Sequence, residues 1–166
     1  MFAAETFNVL PDMICCAKGI SGGYAPLSAL ICRDHIAHAF WDDPPNPGFV
    51  EGHTFEGNPV ASAAGIATIS EILDRDLLAN ARQMGQRLRA GLEGLRKHGI
   101  VGDIRGKGLF LCMELVMNPE TKEQFPAAAA IGTQIGRVAI ERGLLTRFDP
   151  NWIALGPSLV VTESDI

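Results

Sequence analysis

The chain has 166 residues, 47% of them hydrophobic and 20% charged, with a formal net charge of −5. That length fits one ordinary domain or two incomplete ones, and an isoelectric point near 5.3 leaves no basic footprint for nucleic acid or an anionic membrane surface. No apolar stretch reaches the length of a transmembrane helix, and Met1-Phe2-Ala3-Ala4-Glu5 has no cationic region leading into an apolar one, so the expected location is the cytoplasm.

Met13 to Ala17 is a short apolar run between Pro11 and a glycine-rich stretch, the pattern of a strand buried on both faces. It ends on Lys18, followed by Gly19-Ile20-Ser21-Gly22-Gly23. Ligands of open α/β sheets bind beyond the carboxyl ends of strands, and a lysine partly desolvated there becomes a nucleophile, so Lys18 is a candidate catalytic residue. Leu27 to Cys32 reads as a second buried strand and Arg33 to Phe40 as a short helix. The segment from Trp41 to Gly57 is expected to be irregular, because Asp42-Asp43-Pro44-Pro45-Asn46-Pro47-Gly48 breaks both periodicities.

A helix is expected to start sharply at Asn58-Pro59 and run to about Leu73, with asparagine as cap and proline at the first helical position. Ala61, Ser62, Ala63, Ala64, Gly65 and Ala67 crowd its first turns, which predicts close approach of another backbone. After the break at Asp74-Arg75-Asp76, Leu78, Ala81, Met84, Leu88, Leu92 and Leu95 recur at helical steps, and Gly99 suits the position after the last turn. Leu109 to Val116 reads as a strand, Ala127 to Arg142 as a helix, and Leu144–Thr146 and Trp152–Leu155 as short strands around Arg147-Phe148-Asp149-Pro150. Thr162-Glu163-Ser164-Asp165 has the pattern of a capping box opening a helix that the chain does not complete, an ending expected of a truncated chain. The alternation of strand and helix places the chain in the α/β class.

Several motifs point away from other chemistries. The glycines after Lys18 lack the spacing of a Walker loop, and Arg105-Gly106-Lys107-Gly108 opens no helix, so neither a phosphate loop nor a dinucleotide fingerprint is present. His35 and His38 stand at an H-x-x-H spacing that is not expected to bind a metal, and His53 reads as a loop histidine. The four cysteines, Cys15, Cys16, Cys32 and Cys112, form no CxxC pair and are expected to be small buried hydrophobes in a reducing compartment. Thr54 lies just upstream of the capped helix start, where a hydroxyl can donate to a phosphate. Arg147 follows a strand edge and can grip a carboxylate with two parallel N–H donors.

Three separated segments resemble one known family. Pro11-Asp12-Met13-x(4)-Lys18-Gly19-x-Ser21-Gly22-Gly23-Tyr24-x-Pro26-Leu27 is similar to the lysine segment of class III aminotransferases, which are pyridoxal-phosphate enzymes of fold type I. Gly52-His53-Thr54-Phe55-x-Gly57-Asn58-Pro59 resembles their phosphate-contacting threonine loop. Asp103-Ile104-Arg105-Gly106-Lys107-Gly108-Leu109, Gly143-Leu144-Leu145-x-Arg147 and Gly156-Pro157-Ser158-Leu159 with Thr162-Glu163 resemble their C-terminal lobe.

The resemblance implies a partial fold type I architecture. Residues 1–76 would be the end of the large cofactor-binding domain, 77–98 a linking helix, and 99–166 a small C-terminal α/β domain. Lys18 would hold pyridoxal 5′-phosphate covalently and, once displaced by substrate, shuttle a proton. Thr54 would donate to the cofactor phosphate of the neighbouring subunit, implying a homodimer with a shared active site. Arg147 matches a mobile arginine that binds substrate carboxylate in the ω-amino-acid and amine branches. The later arginine of the ornithine and 4-aminobutyrate branches is absent from Ile153-Ala154-Leu155-Gly156-Pro157. The implied activity is transfer of an amino group from an amine or ω-amino acid to a 2-oxo acid such as pyruvate, without a metal. The family's phosphate-binding glycine-serine loop, ring-stacking aromatic and ring-nitrogen aspartate would precede Met1, so these residues alone are expected to turn over little. Two alternatives stay open: an aminomutase, racemase or decarboxylase using the same cofactor, and a non-catalytic fragment acting as a pairing module.

Overall fold

The computed structural model describes residues 1–41 and 48–166, so the proline-rich break expected at 42–47 lies outside the described residues. Two compact units divide the chain at residue 75, Met1–Arg75 and Asp76–Ile166.

The first unit begins with a single helical turn, α1 (Ala3–Thr6), and two strands, β1 (Met13–Ala17) and β2 (Ser28–Cys32). The strands pair antiparallel, with Cys15 opposite Leu30 and Ala17 opposite Ser28. They form a two-stranded sheet on their own. This corrects the expectation of strands buried on both faces. Met13, Cys15 and Ala17 are exposed together with Ser28, Leu30 and Cys32, because directly opposite residues share a face and none of the described residues of this unit covers it. The expectation of buried cysteines is corrected as well: Cys15 and Cys32 lie on that exposed face, while Cys16 and, in the second unit, Cys112 are half-buried.

A 3₁₀ turn (Lys18–Ser21) links the strands, closed by Gly22 in the left-handed conformation. After α2 (Asp34–Trp41) comes α3 (Pro59–Asp74), started as expected by Asn58, whose side chain accepts from the amides of Val60 and Ala61 at 3.0 Å each. Its small-residue face is used for close packing. Ala61 and Gly65 are buried, and a Cβ at Gly65 would lie 2.6 Å from the Leu27 side chain and 3.8 Å from the Ile20 carbonyl. The helix thus presses on the turn that carries Lys18. Replacing Asn58 with alanine is expected to lower thermal stability by about 1 kcal/mol, through two orphaned helix-start amides. A melting curve superimposable on the parent's would show that the cap is not needed.

The second unit holds most of the buried apolar side chains. Helix α4 (Leu77–Glu93) follows the break, where Asp76 turns left-handed at φ 46°, and tightens into a 3₁₀ turn ended by Gly99 at φ 70°. Strands β3 (Val101–Lys107), β4 (Phe110–Leu115), β5 (Arg147–Asp149) and β6 (Trp152–Leu155) form an antiparallel sheet in the order β3-β4-β6-β5. Helix α5 (Ile131–Glu141) precedes β5. One ladder row, Ile104, Met113, Ile153 and Phe148, faces the core that Leu92, Leu111 and Leu115 complete.

Three expectations shift in this unit. β3 runs through Arg105-Gly106-Lys107, where no strand was expected. The strand expected at Leu144–Thr146 lies instead at Arg147–Asp149: Leu144 returns its amide to Ala139 at 2.8 Å, closing α5, and the ladder to β6 starts only at Arg147. The helix expected from Ala127 is broken at Ala130 (φ 45°), which separates a short 3₁₀ turn from α5. The Thr162 capping box forms, with the Thr162 amide donating to Asp165 at 2.8 Å. No described helix is long and apolar enough to cross a membrane.

Candidate active site

Lys18 follows β1 directly. Its backbone is left-handed at φ 58°, a conformation that disfavours any side chain with a Cβ. It persists because its surroundings fix it: Gly22 donates to the Gly19 carbonyl at 3.1 Å, and buried Ser21 donates to the Ala25 carbonyl at 2.5 Å. Strained backbone of this kind collects at functional positions, where the fold must aim one side chain. Lys18 is exposed rather than desolvated, which corrects the environment expected for it, and its amine has no side-chain partner among the described residues.

Lys18 borders an open hollow of about 1060 Å³ in the first unit. Tyr24, Phe49, His53, Phe55 and Asn58 also line it. The turn His53–Asn58 is held by Glu56, whose amide donates to the His53 carbonyl at 2.9 Å while its carboxylate accepts from the His53 amide at 3.3 Å. Lys18 and this turn therefore share one hollow. Thr54 is exposed on the turn and is not among the residues lining the hollow.

Arg147 belongs to the second unit. The ladder places Arg105, Cys112, Ala154 and Arg147 in one row across all four strands, on the face opposite the core. An arginine on each edge strand thus brackets two small residues. They line a second hollow of about 790 Å³, with Phe110, Trp152 and the Leu144–Thr146 segment. The two cations differ. Arg105 donates to Asp103 at 3.0 Å and lies 3.7 Å from Glu114. The Arg105 hydrogen bond holds the Asp103 carboxyl below its ordinary value, helped by the Ile104 amide and opposed by burial. Arg147 has no carboxylate partner among the described residues; its guanidinium carbon lies 5.8 Å from the centre of the Trp152 ring. Burial pushes the Cys112 thiol up, so it is a poor nucleophile. Sequence reasoning missed this row, because its members are neighbours only through the register of three strand pairs. No cluster of metal-ligating side chains occurs among the described residues.

The model of the class-III aminotransferases matches residues 1–166. The taurine–pyruvate aminotransferase of Bilophila wadsworthia is 39% identical over 175 residues, covering 99% of this chain and 38% of that protein. A thermostable (S)-enantioselective omega-transaminase from Thermomicrobium roseum superposes with a TM-score of 0.91 at 32% identity, over 99% of this chain and 36% of its own. An amine transaminase from an uncultivated Pseudomonas species, crystallised in its PLP-bound form, gives 0.92 at 34% identity, over 99% and 38%. The chain therefore spans little more than a third of the length of these relatives. With its whole sequence matched and its mixed helices and sheets superposing on part of fold type I, the chain belongs to the class-III aminotransferase family.

Proposed function

We propose that this chain contributes the lysine-bearing part of a pyridoxal-phosphate-dependent transaminase that moves an amino group from an amine or ω-amino acid to a pyruvate-like 2-oxo acid. The observation that carries the reading is Lys18: an exposed amine on a strained backbone, at the end of a strand and beside a hollow, in a member of this family. The donors present suit the cofactor: an amine to bond its aldehyde carbon, and the exposed Thr54 hydroxyl to donate to its phosphate. When bound, pyridoxal phosphate supplies an electron sink for the carbon that loses its proton. Lys18 Nζ would hold that cofactor and, once released from it, accept and return the proton on the substrate carbon. Arg147 would bind the substrate carboxylate through two parallel N–H donors, which the lack of a carboxylate partner among the described residues leaves open.

The active unit in this reading is a homodimer, with Thr54 serving the partner's cofactor. Apolar side chains exposed on the first unit, among them Met13, Leu30, Val60 and Ile66, support a covered surface there. Residues 1–76 would then be part of the cofactor-binding domain, 77–98 a linking helix and 99–166 the small domain. Because the chain spans 38% of the Bilophila relative, the activity is that of the whole polypeptide, and these residues alone are expected to turn over little. In the full-length protein supplied with pyridoxal phosphate and pyruvate, ¹⁵N from a labelled ω-amino acid should appear in alanine. A donor that is decarboxylated or racemised with no label in alanine would replace the transaminase reading with another activity of the same cofactor.

A further inference from the structure

Trp152 and Arg147 share the outer face of the second unit's sheet. Arg147 stands opposite Ala154, two residues along β6 from Trp152, and its guanidinium carbon lies 5.8 Å from the Trp152 ring centre. That is within the reach of cation–π attraction. Both side chains line the same hollow. Its other guanidinium, Arg105, is already engaged by Asp103 and Glu114. A guanidinium set against a ring gives up one flat side, while its N–H donors stay in its own plane and remain open to an anion. The rotamer freedom that an arginine loses on gripping a carboxylate is then partly lost beforehand, which favours binding.

We infer that Trp152 is a positioning residue: it holds Arg147 ready for a carboxylate, and so sets how strongly this site prefers carboxylate-bearing substrates over uncharged amines. The inference rests on the assignment of Arg147 to carboxylate binding and adds a determinant that neither the lysine nor the threonine loop contains. The ring acts through the guanidinium, so the selectivity belongs to the pair.

The test reads the Arg147 Nε–H resonance in the whole ¹⁵N-labelled chain, identified by its disappearance in Arg147→Ala, during titration with propionate and with propionamide. In the parent, propionate should shift this resonance saturably and propionamide should not. Trp152→Val should abolish the ring-current displacement of the resonance and weaken propionate binding about two- to five-fold. Trp152→Phe should retain most of both, and Trp152→Leu replaces the valine variant should that one fail to fold. In the Arg147→Ala background, followed through the Ala154 amide, loss of the ring should change nothing further. Unaltered propionate affinity in Trp152→Val, or an equal weakening with Arg147 already removed, overturns the positioning role alone. Propionate that leaves Arg147 undisturbed in the parent overturns the carboxylate assignment and the inference with it.

Discussion

Gly132→Ala is expected to destabilise the second unit by about 3 kcal/mol, although the same exchange in an open helix would stabilise it. Gly132 and Gly136 lie one turn apart on the buried side of α5. A Cβ at Gly132 would stand 2.1 Å from the Asp149 carbonyl oxygen and 3.1 Å from the Pro150 carbonyl and the Trp152 amide. All three are backbone atoms of the β5–β6 connection, and Gly132 itself donates to the Pro150 carbonyl at 2.7 Å. Helix and hairpin cannot separate without breaking that bond and moving Phe148 and Ile153, which pack in the core. At Gly136 the obstacle is a side chain, the Phe148 ring at 2.1 Å.

For a domain of this size, about 3 kcal/mol corresponds to a fall of roughly 12–24 °C in Tm. Gly91 in α4 supplies the control: it is exposed, and an added Cβ meets nothing within 4 Å. Gly91→Ala should therefore raise stability by roughly 0.5–1 kcal/mol, the ordinary helix preference for alanine. Thermal melts of the two variants should move in opposite directions. If Gly132→Ala melts within a few degrees of the parent, α5 is not pressed against the β5–β6 connection as described.

These glycines mark where the sequence was readable and where it was not. Local chemistry was legible: Asn58-Pro59 starts α3, Gly99 ends the turn after α4, and Thr162 with Asp165 closes a capping box, because each depends on neighbours a few residues away. β3 was not. Gly102, Gly106 and its charged residues have weak strand preference, and the strand exists because Gly102 lets Val116 approach and Val101 and Ile104 enter the core. The apolar run Met13–Ala17 did mark a strand, but which of its faces is covered depends on what packs there, and its own residues do not encode that. The same limit applies to the sites. Lys18 stood out because a cation ends an apolar run. The row Arg105–Cys112–Ala154–Arg147 and the stack on Trp152 arise only once three strand registers are set.

Lys18→Ala is expected to bring covalent retention of pyridoxal phosphate, fixed by borohydride reduction, down to background. In the full-length protein, the same change should lower alanine formation by about 10²–10⁴-fold or more, because the group that moves the proton is gone. The fold should not be disturbed. Lys18 is exposed, its amine has no partner among the described residues, and alanine keeps the Cβ that makes φ 58° unfavourable, so stability should stay within about 0.5 kcal/mol. Glycine separates strain from chemistry. Lys18→Gly relieves the left-handed backbone and should stabilise the protein by about 1 kcal/mol, while retaining no more cofactor than the alanine variant. A side chain whose removal raises stability is one that the fold tolerates for what it does. If Lys18→Ala retains cofactor as the parent does, another amine is the anchor. If Lys18→Gly is no more stable than Lys18→Ala, the backbone at this turn is not held under strain.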